Sequence, residues 1–372
     1  MREMFGGGLG CLGVGHCQPR YYQQVFPYLA DSTATLRFAA RFPALRAVGF
    51  YREVQALTVS NIGIGTYLGE MDAATDNSYA EAVSGAMTAG VNFIDTSLNY
   101  RNQRSERSIG AALRQVIEAG EVHREEIVVS TKAGYLVPDA VPKGILSAND
   151  IVAGMHSMAP AFLRDQLDRS RANLRLDAID VFYLHNPETQ LAYISQTEFL
   201  KRIRPAFEYL ESAVADGRVH YYGTATWEGY RHRESSREAL PLEELAAIAR
   251  EIGGEAHHFR FIQLPFNLAM PEAFANRVNG ENVLDVAARL GISVVASASL
   301  YQARLSRNLP DEIRSRLPGA ETDAQRAIQF VRSTPGIAVA LVGMSSLAHV
   351  RENLGLASVP ALDPERYMQL YT

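Results

Sequence analysis

Ile179-Asp180-Val181-Phe182-Tyr183-Leu184-His185 is a β-rich run that ends on an ionisable side chain. Its β-branched and aromatic residues favour an extended strand. Two earlier stretches share this form. Val91-Asn92-Phe93-Ile94 leads into Asp95, with Tyr100 five residues on, and Ile127-Val128-Val129-Ser130-Thr131 leads into Lys132. Each run is followed by a helical stretch, which reads as a parallel strand with its crossover helix.

Working outward, Ile62 to Thr66 forms a first strand, and 219–224, 261–264, 292–296 and 337–342 form strands five to eight. Helices are expected over 76–89, with Asp76 as N-cap, and over 106–118, 161–174, 198–215, 242–252, 282–290, 323–333 and 346–355. No glycine-rich dinucleotide fingerprint follows any of these strands. The alternation therefore predicts an α/β chain folded as a closed (β/α)8 TIM barrel rather than a doubly wound sheet. In such a barrel the catalytic groups sit at the C-terminal strand ends. Asp95, Tyr100, Lys132 and His185 should converge on one mouth.

The chain has 372 residues, 47% hydrophobic and 21% charged, which suits one globular barrel better than two small domains. A formal net charge of −5, with no long basic block, argues against nucleic-acid or anionic-membrane partners. The two cysteines, Cys11 and Cys17, cannot form a disulfide framework across the body of the chain, as expected of a cytoplasmic protein. No apolar stretch reaches the roughly 18 residues of a membrane helix.

Residues 1–45 read as an N-terminal extension, expected to be poorly ordered or peripheral, ahead of a barrel domain over 46–372. Within it Gly8-Leu9-Gly10-Cys11-Leu12-Gly13 imitates a dinucleotide fingerprint, but no strand precedes it. The stretch from Ala133 to about Met158, with Pro138, Pro142, Gly144 and Gly154, is long enough to be a binding loop over the barrel mouth.

The four strand-end residues suit one reaction. Reducing a carbonyl places a hydride on carbon and a proton on oxygen, and the proton needs a positioned weak acid. A phenol alone, with a pKa of about 10, is a sluggish donor. A lysine ammonium beside Tyr100 is expected to stabilise phenolate and lower that value. Asp95 would hold Lys132 charged, and His185 would direct a ring N–H at the carbonyl oxygen. Taken singly, each could be a solvated or packing residue. Their occurrence on consecutive strands gives the pattern its weight.

These blocks resemble the aldo-keto reductase family. Gly90 to Tyr100 is similar to its Asp-Thr-x-x-x-Tyr signature, Ser130-Thr131-Lys132 to its lysine strand, and Asp180 to His185 to its histidine strand. The resemblance implies a catalytic tetrad of Asp95, Tyr100, Lys132 and His185, and NADP(H) or NAD(H) bound on the barrel without a separate nucleotide domain. It implies a cofactor cleft formed by Gly65, Thr66, Asp95, Gln263, Leu300, Gly343, Ser345, His349, Glu352 and Asn353. Gln263 would hold the carboxamide and Glu352-Asn353 the adenine. The chain departs from the family pattern at Ser297, where an aromatic shelf is common, at Ala225-Thr226, where Ser-Asn is expected, and at His349, where arginine or glutamine is common. The choice between NADP and NAD stays open. Tyr67, Tyr135, Asn186 and Trp227 are expected to wall a pocket for an aldehyde, ketone or sugar carbonyl or the corresponding alcohol. A catalytically weak nicotinamide-binding sensor or regulatory subunit is the alternative, and a cofactor-free barrel using Lys132 as a Schiff-base amine is a third reading.

Overall fold

The computed structural model describes residues 26, 28–232 and 236–371. The Gly8–Gly13 motif and both cysteines lie outside these described residues.

Ten strands are present among the described residues. β1 (Tyr51–Val54) and β2 (Leu57–Ser60) form an antiparallel hairpin. β3 (Ile62–Gly65), β4 (Phe93–Asp95), β5 (Val128–Ala133), β6 (Ile179–His185), β7 (Val219–Ala225), β8 (Phe259–Pro265), β9 (Ser293–Ser297) and β10 (Ile337–Gly343) close into an eight-stranded barrel, β10 pairing with β3. Every barrel pairing is parallel. The expected TIM barrel is the fold.

Parallel strands buried on both faces need apolar residues on both sides, which explains the near-continuous runs in the sequence. Phe93, Val128, Val181, Tyr183, Phe261, Val295, Val339 and Leu341 fill the interior. Val54, Leu57 and Val59 of the hairpin join that interior cluster. The barrel's hydrophobic centre is thus plugged at its N-terminal end, and the polar chemistry is confined to the other rim. Between β7 and β8 the backbones run so close that a Cβ on Gly223 would meet Phe261 O at 1.9 Å.

The boundary expected between residues 45 and 46 falls inside a helix, Pro43–Ala47. A further helix, Ser32–Ala40, buries Ala34, Phe38 and Ala39, and Thr35 Oγ1 accepts a hydrogen bond from Thr58 N of the hairpin at 3.0 Å. These residues therefore belong to the base of the barrel. The helix expected from Asp76 begins earlier, at Ala73, because Asp72 caps it by accepting from Thr75 N at 2.7 Å. Asp76 is drawn instead into ion pairs with Arg101 and Arg104, at 2.8 and 2.6 Å.

Candidate active site

The barrel register places Asp95 opposite Ser130 on β5, while Lys132 pairs with Tyr183, two residues before His185 on β6. The three strand ends therefore share one layer at the C-terminal rim. Asp95 Oδ2 accepts from Lys132 Nζ at 2.6 Å, and Asp95 Oδ1 accepts from Ser130 Oγ and Gln263 Nε2, each at 2.8 Å. Lys132 uses its other two N–H donors on Thr96 O at 2.7 Å and Tyr100 Oη at 3.3 Å. All three ammonium donors are matched, as a buried cation requires. The ammonium also lies 4.9 Å from the centre of the Tyr100 ring.

His185 Nδ1 lies 3.1 Å from Ser97 Oγ. Its ring meets Tyr100 and Tyr135 edge to face, at centroid distances of 5.8 and 5.1 Å. Its backbone carbonyl accepts from His156 Nε2 at 2.8 Å, and His156 Nδ1 in turn accepts from Gln190 Nε2 at 3.1 Å. His156 is buried, which pushes its pKa down to about 4 and keeps it neutral. The long loop that carries Tyr135 and His156 thus pins the histidine strand.

Burial, and after it the Asp95 carboxylate, holds the Tyr100 phenol well above its ordinary value of 10. Burial pulls the Lys132 ammonium below its ordinary value, with Asp95 opposing that pull. The net position of the phenol is therefore set by burial and not by its contact with Lys132. The same low-dielectric pocket that brings the two groups together disfavours the charged phenolate. Burial, then the Lys132 charge, then His156, keep His185 well below its ordinary value and neutral. The site holds a phenol, a neutral imidazole and a closed Asp95–Lys132 pair at 2.6 Å.

A cavity of about 590 Å³ opens over these groups. Gly65, Thr66, Tyr67, Asp95, Tyr100, Tyr135, His185, Asn186, Trp227, Gln263, Leu300, Gly343, Ser345 and His349 all line it. Tyr67 meets the Tyr100 ring at 4.9 Å, and Asn186 Nδ2 donates to Tyr135 Oη at 3.0 Å. Lys132 lies beneath the floor. Glu352 and Asn353 are not among the lining residues. Glu352 is exposed and its backbone carbonyl accepts from Gln325, while Asn353 is buried with Oδ1 unpaired.

The sequence reading missed Ser97, Asn99, His156 and Glu188. Ser97 and Asn99 lie inside the quoted Asp95–Tyr100 block, so their proximity to the site was available. Nothing in the sequence pairs His156 or Glu188 with it. Glu188, just past β6, is buried, and its Oε1 accepts from the backbone N–H groups of Trp227, Glu228 and Gly229 at 2.7, 3.0 and 3.4 Å. It anchors the segment that places Trp227 on the cavity wall.

Among the described residues no cluster of His, Cys, Asp or Glu is suited to a metal, and no helix is long and apolar enough to cross a membrane. A closed parallel barrel with a tyrosine, lysine, aspartate and histidine at its C-terminal rim defines a class, and the comparison with known proteins gives the family. The model of the aldo/keto reductase family matches residues 61–371, and the chain belongs to that family and is an oxidoreductase of it. It is 26% identical over 340 residues to a D-threo-aldose 1-dehydrogenase of a Pseudomonas species, covering 85% of this chain and 93% of that one. It is 24% identical over 295 residues to a probable voltage-gated potassium channel subunit beta of Arabidopsis thaliana, covering 74% and 80%. An aldo/keto reductase of Klebsiella pneumoniae solved with NADP and acetate aligns at a TM-score of 0.59 and 22% identity, over 86% of this chain and 93% of that one. That likeness concerns the fold.

Proposed function

We propose that the chain interconverts a sugar or related carbonyl compound and the corresponding alcohol with NADP(H) or NAD(H), Tyr100 serving as the acid and base. The observation that carries this reading is the contact of Tyr100 Oη with Lys132 Nζ, whose charge is held by Asp95, on the floor of a 590 Å³ cavity.

The lining residues at the two ends of the cavity suit a dinucleotide. The cavity runs from Tyr100 and His185 to Gly343, Ser345 and His349, at the start of the helix Leu347–Leu354. A Cβ at Gly343 would meet nothing within 4 Å, so that end is open. A helix N-terminus favours a phosphate. Gln263, whose Nε2 is held by Asp95, would turn its amide carbonyl toward a carboxamide. No lysine or arginine is among the residues that line the cavity, so a 2′-phosphate has only His349 to meet it.

A nicotinamide, when bound, supplies or accepts the hydride. During reduction Tyr100 gives its phenolic proton to the substrate oxygen, and the Lys132 ammonium beside it stabilises the phenolate left behind. His185 orients that oxygen from the other side. Tyr67, Tyr135 and Trp227 present aromatic faces and Asn186 an amide, a combination suited to a ring with C–H faces and several hydroxyls. Similarity to an aldose dehydrogenase supports the sugar class.

The test is to titrate the purified chain with NADH and NADPH, following Trp227 fluorescence, and then to measure turnover across a panel of aldoses, aldehydes and ketones. Binding together with turnover on at least one sugar is expected. Tight cofactor binding with no turnover across the panel would favour a sensor or regulatory subunit, a role that similarity to a channel subunit keeps in view. Absence of nicotinamide binding would refute both readings.

A further inference from the structure

Tyr100 is followed at once by three residues in the left-handed region, Arg101, Asn102 and Gln103, with φ of 47, 50 and 71°. None is a glycine, so each carries backbone strain that its surroundings must offset. The turn closes on itself through Gln103 N donating to Leu98 O at 2.9 Å and Asn102 N donating to Asn99 O at 3.3 Å. Its path decides where the neighbouring Tyr100 hydroxyl falls.

Arg101 has only 2% of its side chain exposed, yet it is not among the residues that line the cavity. Its Nη1 donates to Asp76 Oδ1 at 2.8 Å and to Glu70 O at 3.4 Å. Nε donates to Ser105 Oγ and Nη2 to Ser108 Oγ, each at 3.1 Å. A guanidinium can only donate, so both serine oxygens accept from it and pass their own protons on. Ser105 gives its proton to Thr66 O at 2.8 Å, and Ser108 to Arg104 O at 2.9 Å. The guanidinium carbon also lies 4.8 Å from the centre of the Tyr79 ring, whose hydroxyl donates to Leu68 O at 2.7 Å. One side chain thus ties the backbone of residues 66, 68 and 70 to the start of the helix Arg104–Glu118. Tyr67, within the first of those segments, meets the Tyr100 ring edge to face at 4.9 Å.

We propose that Arg101 is a positioning residue for the reaction. Its guanidinium fork fixes the left-handed turn and the Thr66–Glu70 segment together, and so aims the Tyr100 hydroxyl at the substrate oxygen while keeping it against Lys132. The inference rests on the reading of Tyr100 as the acid and base, and deepens it. The requirement is for a fork and not for a charge alone. A lysine would meet Asp76 as a point charge, but it could not hold two serines and a carbonyl from one plane.

The test uses Arg101→Gly and Arg101→Lys, each alone and combined with Tyr100→Phe, after thermal unfolding has shown which are folded. Glycine takes the left-handed conformation without strain, so a loss there reads the side chain and not the backbone. With the aldose that the parent reduces fastest, single-turnover reduction should slow by about tenfold to a hundredfold in Arg101→Gly, with NADPH affinity unchanged within about twofold. Arg101→Lys should slow it by at least about threefold. In the Tyr100→Phe background neither change should slow the rate further, because no hydroxyl is left to aim. A merely structural arginine would cost the same in both backgrounds. A crystal structure of Arg101→Gly, or of Arg101→Lys if the glycine variant does not fold, needs no substrate. It should show Tyr100 Oη out of hydrogen-bond reach of Lys132 Nζ, against 3.3 Å in the parent. The parental rate in either folded variant, an equal loss with and without the Tyr100 hydroxyl, or an undisplaced Tyr100 would each overturn the proposal. Reduction at the parental rate by Tyr100→Phe alone would refute the acid–base reading and leave the crystallographic readout standing, so the two failures are distinct.

Discussion

Glu188 gives the sharpest quantitative test of how the cavity wall is built. Its Oε1 receives three backbone N–H groups from residues 227–229, and its Oε2 is buried with no partner. Burial pushes its carboxyl from an ordinary 4.5 up to about 7, against the lowering effect of those N–H donors. A carboxyl raised in the folded state binds its proton more tightly there than in the unfolded chain. Its contribution is fully present below about pH 4.5 and is lost as pH rises through about 7. That displacement is worth about 3 kcal/mol in full, of which about 2.5 kcal/mol falls between about pH 5 and pH 8. Glu188→Gln keeps an oxygen for the backbone donors and cannot ionise, so its stability should lack this slope. Urea unfolding of both proteins at the two pH values is the assay. The parent should lose about 2.5 kcal/mol more than the variant on going to the higher pH. Parallel pH dependence in the two proteins would refute the assignment of a raised, buried carboxyl to this position.

Three further outcomes follow from the same coordinates. Asp95→Asn leaves the buried Lys132 ammonium without its counter-charge, and urea unfolding should show a loss of about 3–5 kcal/mol. A loss below about 1 kcal/mol would mean that the pair is solvated rather than buried. With no lysine or arginine lining the far end of the cavity, the parent should bind NADPH and NADH within a few-fold of each other by titration calorimetry, and His349→Arg should tighten NADPH alone by about tenfold. A parent strongly selective for NADPH would show that a cation beyond this lining meets the phosphate. Gly223→Ala should cost about 3 kcal/mol or more in unfolding experiments, since the added methyl meets Phe261 O at 1.9 Å. A neutral effect would show that β7 and β8 separate freely.

The barrel was legible because parallel strands buried on both faces leave near-continuous apolar runs, and because each of three runs ended on an ionisable residue. Those endings also brought Asp95, Tyr100, Lys132 and His185 to one rim before any coordinates. What stayed hidden depended on contacts between distant segments. Asp72 and Asp76 are equally good caps in sequence, and only Arg101 and Arg104, folded back onto Asp76, decide between them. Glu188 and His156 gain their roles from loops whose paths no periodicity encodes. Glu352 and Asn353 sit one turn past the last cavity residue, a displacement that residue type cannot reveal. The direction of the Tyr100 shift depends on burial, and a motif states who the neighbours are without stating how dry they are.

The central claim is that Tyr100 moves the proton while Lys132 and Asp95 hold its charge. Tyr100→Phe removes that hydroxyl and leaves the rest of the cavity in place. Single-turnover reduction of an aldose-type substrate by this variant should be slower by about 10²–10⁴, with NAD(P)H affinity unchanged within about twofold. Reduction at the parental rate, with the cofactor bound as before, would contradict the account.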